Sequence, residues 1–166
     1  MSESFSIREA VPSDAETICS LIRELADFER LSHEAHPDAS LLADHLSPDA
    51  CPRCGALLAE TTAGTIGFAL YYYKYSTFLT DWGLHLEDLY VRPEYRRHGI
   101  GQALLKAVAG SATKFGCRRL ELSVLDWNRG AIDFYLRLGA VPLDDWTTMR
   151  FVDGALQRLS DPSTAP

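Results

Sequence analysis

Nowhere in the 166 residues does an apolar run approach the roughly 20 residues that cross a bilayer, so no membrane-spanning helix is expected. Met1-Ser2-Glu3-Ser4 has neither the basic start nor the apolar stretch of a secretory leader, and a soluble, cytoplasmic chain is expected. Cysteine is sparse: Cys19, Cys51, Cys54 and Cys117. A chain long enough to build a real core does not need disulfide staples, so reduced thiols are expected. Cys51-Pro52-Arg53-Cys54 is half of a zinc knuckle, with His36 and His45 as the other conceivable ligands, but the second cysteine pair is missing and no metal is expected. No Gly-Lys-Ser/Thr end is present, which removes the Walker phosphate loop. The dinucleotide fingerprint also fails, because Leu104 stands where its third glycine belongs. Positive charge is in short supply as well: the net charge is −7, with 16 basic against 23 acidic side chains. An acidic protein makes a poor sequence-independent nucleic-acid binder, so no nucleic-acid partner is expected. There is no internal repeat and no break in composition, so residues 1–166 read as one domain.

What is present centres on the stretch from Leu84 to Phe115. His85, Glu87 and Leu89 alternate with Leu86, Asp88 and Tyr90 as in a strand, which Pro93 stops because it has no N–H for a sheet. By strict alternation Glu87 and Asp88 point to opposite faces. A helix then opens at Gly99 and Gly101, whose missing Cβ atoms let a bulky anion approach the backbone. The first N–H groups of a helix have no internal partner and lie at the positive end of its dipole, so a phosphate suits them. Arg92, Arg96 and Arg97 add charge that can fork onto phosphate oxygens. The acidic excess lies elsewhere: residues 1–55 hold 11 acidic and 4 basic groups. That polarity suits an anionic ligand on one side and a cationic one on the other, and equally a solvated acidic helix surface.

In chain order, Phe5-Ser6-Ile7-Arg8 reads as a first strand and Ser13-Asp14-Ala15-Glu16 as a capping box. Ile18, Leu21, Ile22 and Leu25 define a helix from about Asp14 to Phe28, with Glu29 at its end. A shorter helix spans Ala39 to Leu46. Strands follow at Ala56 to Thr61 and Thr65 to Tyr75 around Thr62-Ala63-Gly64, and Thr77 to Gly83 reads as a loop. Tyr71, Tyr72, Tyr73 and Tyr75 fall on both faces of their strand, mostly for packing. Ile100, Leu104, Ala107, Val108 and Ser111 stripe the helix that closes at Gly116. Leu120, Leu122 and Val124 alternate in a strand. Asn128 caps a helix carrying Ile132, Tyr135 and Leu138, which Gly139 ends. Trp146 to Val152 reads as a last strand, followed by a tail helix near Leu156, and disorder is expected over Pro162 to Pro166. The class is mixed α/β: a mostly antiparallel sheet of about six to seven strands flanked by about four helices.

Arg96, Gly99 and Gly101 form R-x-x-G-x-G between a strand and an amphipathic helix, and this resembles the coenzyme A pyrophosphate loop of the GCN5-related N-acetyltransferases. Ile22-Arg23-Glu24-Leu25-Ala26-Asp27-Phe28-Glu29, Leu86-Glu87-Asp88-Leu89-Tyr90-Val91, Val124-Leu125-Asp126-Trp127-Asn128 and Phe134-Tyr135-Leu136-Arg137-Leu138-Gly139-Ala140 are similar to the diamine, or spermidine/spermine, branch. The resemblance covers residues 5–152, and Tyr75-Ser76-Thr77 with the Val124–Asn128 segment leans to the thialysine-acetylating members. It implies an acetyl-CoA-dependent N-acetyltransferase acting on a small cationic amine, in a homodimer. Such an amine has a pKa near ~10.4 and is no nucleophile until it loses a proton. The resemblance gives that proton to Glu87, and leaves Asp88 as a group behind it or a buried structural carboxylate. Tyr135 becomes the acid for the departing thiolate. Backbone N–H groups of Leu89, Tyr90 and Val91 hold the acetyl carbonyl and pantetheine, and Arg96, Arg97, His98, Gly99, Ile100, Gly101 and Gln102 the pyrophosphate. Asn128, Arg129, Gly130 and Ala131 close over the pantetheine end. Phe28 and Glu29 line the amine channel, Glu121, Leu122 and Ser123 floor it, and Asp145 and Trp146 cover the far amine. Thr77 and Leu79 stand where polyamine members carry aspartate and tryptophan, and Phe28 replaces the family's tyrosine. Acetylation of protein amines or of an aminoglycoside-like compound stays open beside this, as does a coenzyme A sensor without catalysis.

Overall fold

Ile18, Leu21, Ile22 and Leu25 lie along one stripe of helix α1 (Ala15–Glu29), and in the computed structural model, which describes residues 4–50 and 54–161, that stripe seats on a sheet. The sheet has five strands in sequence order: β1 (Ser6–Glu9), β2 (Cys54–Thr61), β3 (Gly64–Ser76), β4 (Asp81–Val91) and β5 (Leu120–Leu122). Neighbours are antiparallel up to β4, and β4 and β5 run parallel. A parallel pair needs a crossover, which helix α3 (Ile100–Lys114) supplies. Helix α2 (Ala39–Leu46) is capped by Asp38, whose carboxylate accepts from Ser40 N and Leu41 N. Two compact units follow from this layout, Met1–Ser123 and Val124–Pro166.

In the first unit the sheet is buried on both faces. On one, Leu57, Ala59, Ala69, Leu84, Leu86 and Val91 pack with Ile100, Leu104 and Val108 of α3. On the other, Leu58, Phe68 and Tyr90 pack with Ile18 and Leu21 of α1 and Leu46 of α2. Phe68, Ile18, Leu21 and Leu104 are fully buried, each worth about 1.5–3 kcal/mol against exposure. Arg8 ties the first elements together: it donates to both Asp14 oxygens at 2.7 and 2.9 Å and to Glu60 at 2.9 Å. Arg92 closes a two-pronged pair on Glu24 of α1, at 2.8 and 3.0 Å, and donates to Thr65 O.

Several expectations need correction. Among the described residues the sheet has five strands rather than six or seven, and the α-helices number five rather than four. No side chain caps the first turn of α1, so the Ser13 box does not form. Ser13 lies within a 3-10 turn, Pro12–Asp14, rather than at the helix entrance, and Asp14 closes that turn by accepting from Val11 N while Arg8 donates to it. Asp81 to Gly83 belong to β4, not to a loop, because they pair with Lys74 to Ser76. Trp146 to Val152 forms no strand: period-2 patterning needs a paired neighbour, and none pairs with it among the described residues. The second unit holds α4 (Arg129–Arg137) and α5 (Asp153–Ser160). Cys51, Pro52, Arg53 and the Pro162 to Pro166 tail lie outside the described residues, and with them the Cys-Pro-Arg-Cys and disorder expectations.

Candidate active site

The strand that carries the acidic pair is not regular. Leu70 pairs with Asp88 and Tyr71 with Leu86, so Glu87 is an extra residue with no partner on β3. Such a bulge shifts the alternation by one. Leu84 and Leu86 face α3 before it, as Leu89 and Val91 do after it, whereas Tyr90 faces α1. His85, Glu87 and Asp88 therefore share the α1 face, which corrects the opposite-face expectation.

Asp88 lies under the C-terminal turn of α1. With Glu29 and Glu34 it lines an open recess of about 170 Å³ whose walls are Ile22, Leu25 and Leu31. Burial raises its carboxyl from 3.8 to about 7, reinforced by the charges of Glu87 and Glu29. Burial also pushes Glu29 up. Charging such groups is costly, and a cation beside them would lower that cost. Glu87 is more open, its side chain 55% exposed, with Oε2 3.7 Å from His85 Nε2. Tyr72 stacks on His85 at 5.0 Å, and Lys74 pairs with Glu121 at 3.1 Å, so the strip continues across β3, β4 and β5. Leu122 does not join that strip: it packs on the α3 side with Leu84 and Leu86, because alternation along β5 puts it on the face opposite Glu121, which corrects its expected place on the channel floor. Nothing in the sequence pattern assigns a site role to Glu34, His85 or Tyr72. For His85 the two-residue spacing from Glu87 is the available signal.

β5 pairs with β4 only from Leu84 to Leu86. From Glu87 to Val91, which includes Leu89 and Tyr90, that edge of β4 has no strand partner among the described residues, so its backbone groups other than Val91 O, which Arg96 occupies, can meet an extended ligand. At its end the chain turns sharply: Arg97 has φ 65° and Gly99 φ 83°, and α3 starts at Ile100 with no side-chain cap. The amides of Gly99, Ile100, Gly101 and Gln102 are thus left for an anion, and no atom crowds the Cβ position of Gly99. A pyrophosphate fits this cradle. Of the three arginines only Arg97 keeps its head without a partner among the described residues. Arg92 is held by Glu24, and Arg96 donates to Val91 O at 2.8 Å with its guanidinium 4.6 Å over Phe28. His98 Nδ1 lies 3.3 Å from Tyr95 O.

In the second unit Asn128 Oδ1 accepts from Ala131 N at 3.2 Å and caps α4, which begins at Arg129 and Gly130. Tyr135 lies on α4 with its ring edge-on to Phe134 at 5.1 Å. Asp145 and Trp146 are exposed. Among the described residues no three His, Cys, Asp or Glu side chains gather to hold a metal, and no helix is long and apolar enough to cross a membrane.

An integron cassette protein from the V. cholerae mobile metagenome superposes with TM-score 0.77 at 24% identity, over 96% of this chain and 98% of that one. That likeness shows a shared fold, and the family comes from the sequence. The family model for the acetyltransferase (GNAT) family matches residues 19–140, and the chain belongs to that family. A thialysine N-epsilon-acetyltransferase of Mus musculus is 40% identical, covering 93% of this chain and 96% of the relative. An L-ornithine N5-acetyltransferase of Arabidopsis thaliana is 32% identical, covering 92% and 86%. The protein is an amine N-acetyltransferase, and the acetyl donor of its family is acetyl-CoA.

Proposed function

We propose that the acceptor is a small cationic molecule with a terminal primary amine, of the thialysine or ornithine kind, acetylated directly in a ternary complex with acetyl-CoA. The observation that carries this is the recess in which Asp88, Glu29 and Glu34 line apolar walls beside Glu87. Apolar walls take the methylenes of the amine, and carboxylates that ionise reluctantly gain most from an ammonium. The relatives' acceptors, thialysine and L-ornithine, fit that description. Thr77 and Leu79, where polyamine members carry aspartate and tryptophan, count against long polyamines.

Glu87 takes the ammonium proton, directly or through water, and frees the nitrogen lone pair to attack the acetyl carbonyl. Backbone N–H groups of Leu89 to Val91 stabilise the oxyanion. Arg97 to Gln102 hold the pyrophosphate. Tyr135 donates a proton to the departing thiolate, and Asn128 to Ala131 lie along the pantetheine. Phe28, Glu29, Glu121 and Ser123 line the amine path, and the resemblance assigns Asp145 and Trp146 to cover the far amine. The family match crosses the boundary between the two compact units, which supports one acetyltransferase domain. We further infer a cytoplasmic homodimer, from the resemblance to the diamine branch.

Coenzyme A thiol release from acetyl-CoA, measured with thialysine, ornithine, lysine, putrescine, spermidine and spermine, tests the proposal. Turnover led by thialysine or ornithine supports it. Preference for spermine, or binding of acetyl-CoA with no release for any amine, refutes it.

A further inference from the structure

His85 sits in mid-β4 on the face that carries Glu87 and Asp88. Its Nδ1 is buried and meets no hydrogen-bond partner among the described residues, while Nε2 looks at Glu87 Oε2 from 3.7 Å. Only 12% of the side chain is exposed. A buried ring nitrogen without a partner costs stability that a phenylalanine stacked on Tyr72 would not, and such costs persist where a group is needed for something else. The other nitrogen is the one with a target.

The tautomer follows from the surroundings. A bare lone pair at the buried Nδ1 is cheaper to leave unmatched than an N–H, so the ring proton belongs on Nε2, facing the carboxylate. Tyr72 and Lys74 of β3, Glu87 of β4 and Glu121 of β5 are the titratable and charged groups around the ring. Glu121 is engaged by Lys74 at 3.1 Å and lies 3.4 Å from Arg119 Nε, which leaves Glu87 as the carboxylate that Nε2 can serve. Burial holds the imidazole below its ordinary range, partly offset by Glu87, so the ring stays neutral at pH 7.

We propose that His85 is a positioning residue for acetyl transfer, whose neutral Nε2–H fixes the Glu87 carboxylate toward the incoming ammonium. The inference rests on the proposed role of Glu87 as the base. Neutrality is the point: an imidazolium would align Glu87 equally well but draw down its basicity, and the unpartnered Nδ1 prevents that charge. No covalent bond is made or broken at His85, and the 3.7 Å separation closes to hydrogen-bond length as Glu87 turns its carboxylate to take the ammonium.

Two measurements test this on the full-length protein. Nitrogen-15 NMR of histidine-labelled protein reads the tautomer without any turnover. A neutral Nε2–H ring at pH 7, with a pKa that falls further in Glu87→Gln, is expected. An Nδ1–H ring, an imidazolium, or a pKa indifferent to Glu87→Gln overturns the contact. In steady-state kinetics His85→Phe keeps the stack on Tyr72 and loses the donor, and kcat is expected to fall by about 10–100-fold with amine KM little changed. His85→Gln restores an N–H donor and should recover part of the loss. A His85→Phe variant as fast as the wild type, or His85→Gln no better than His85→Phe, overturns the positioning role. Absence of thiol release with every amine in the wild type defeats the proposed reaction instead, and the tautomer measurement still decides the His85–Glu87 contact.

Discussion

Replacing Asp88 by asparagine should make the protein more stable and less active, with a pH dependence that its surroundings dictate. The Asp88 carboxyl ionises at about 7 in the folded protein instead of 3.8, because burial and then the charges of Glu87 and Glu29 oppose its charge. Below pH 4 folded and unfolded chains both hold the proton, and the group contributes nothing to the balance. Between pH 4 and 7 the unfolded chain has released the proton and the folded one has not, so stability falls as pH rises and levels off above 7. At about 1.4 kcal/mol per pH unit, that window amounts to a penalty on the order of 4 kcal/mol as an upper bound. Asp88→Asn cannot ionise and escapes it. Urea unfolding of both proteins in steps from pH 4 to 9 should give curves that coincide at pH 4 and separate by roughly 2–4 kcal/mol at pH 8. Acetyl transfer by the variant should drop, since on the proposed reading the carboxylate that destabilises the fold is also one that draws in the ammonium. A stability difference that does not change with pH, or a variant weaker than wild type at pH 8, would refute the reasoning.

Tyr135→Phe should keep acetyl-CoA affinity, read by titration calorimetry, while kcat falls by about 100-fold, and an unchanged kcat removes the general-acid role. Arg8→Met should cost about 1–2 kcal/mol at pH 7 once solvent screening is allowed for, because Asp14 and Glu60 lose their shared partner. Arg8 holds both carboxyls below their ordinary range, so this contribution is present above the unfolded carboxyl pKa and is lost as pH falls through the folded one. Denaturation curves of wild type and Arg8→Met should accordingly converge in acid. Gly99→Val places a β-branched residue at φ 83°, and acetyl-CoA affinity should fall at least about 10-fold as the turn reshapes to relieve the strain, whereas an unchanged dissociation constant would separate the turn from the pyrophosphate.

Features written in local pattern are legible in the sequence. Helix α2 spans Ala39–Leu46 as its periodicity and flanking residues indicate, α1 and α3 start and stop close to their sequence signals, and Asn128 is the cap that its position implies. The glycine turn after β4 is legible for the same reason: strand, proline, glycines and amphipathic helix follow within one short stretch. What escapes such reading depends on partners far along the chain. Arg8 reaches Glu60 across 52 residues and takes Asp14 with it, a tie that no local pattern announces. Arg92 is claimed by Glu24 from 68 residues away, so its charge is not left for phosphate. Alternation alone suggests a strand at Trp146 to Val152, and alternation does not supply a neighbour. The bulge at Glu87 leaves no mark in composition, because it exists only in the register between β3 and β4.

That bulge gives β4 two reading frames. Ahead of Glu87 the even-numbered residues Leu84 and Leu86 face the α3 core, and beyond it the odd-numbered Leu89 and Val91 do. One extra residue thus lets a single strand keep its oily side continuous while lining up His85, Glu87 and Asp88 on the other. The register makes the strand tolerant of losing that residue. Removing Glu87 would leave Leu86 and Asp88 as neighbours opposite Tyr71 and Leu70, which is regular pairing, so Leu84, Leu86, Leu89 and Val91 would stay on the α3 side and His85 and Asp88 on the other. Such a deletion takes away one carboxylate and leaves the packing of both faces as it is. Glu87 is an addition to a strand that is complete without it.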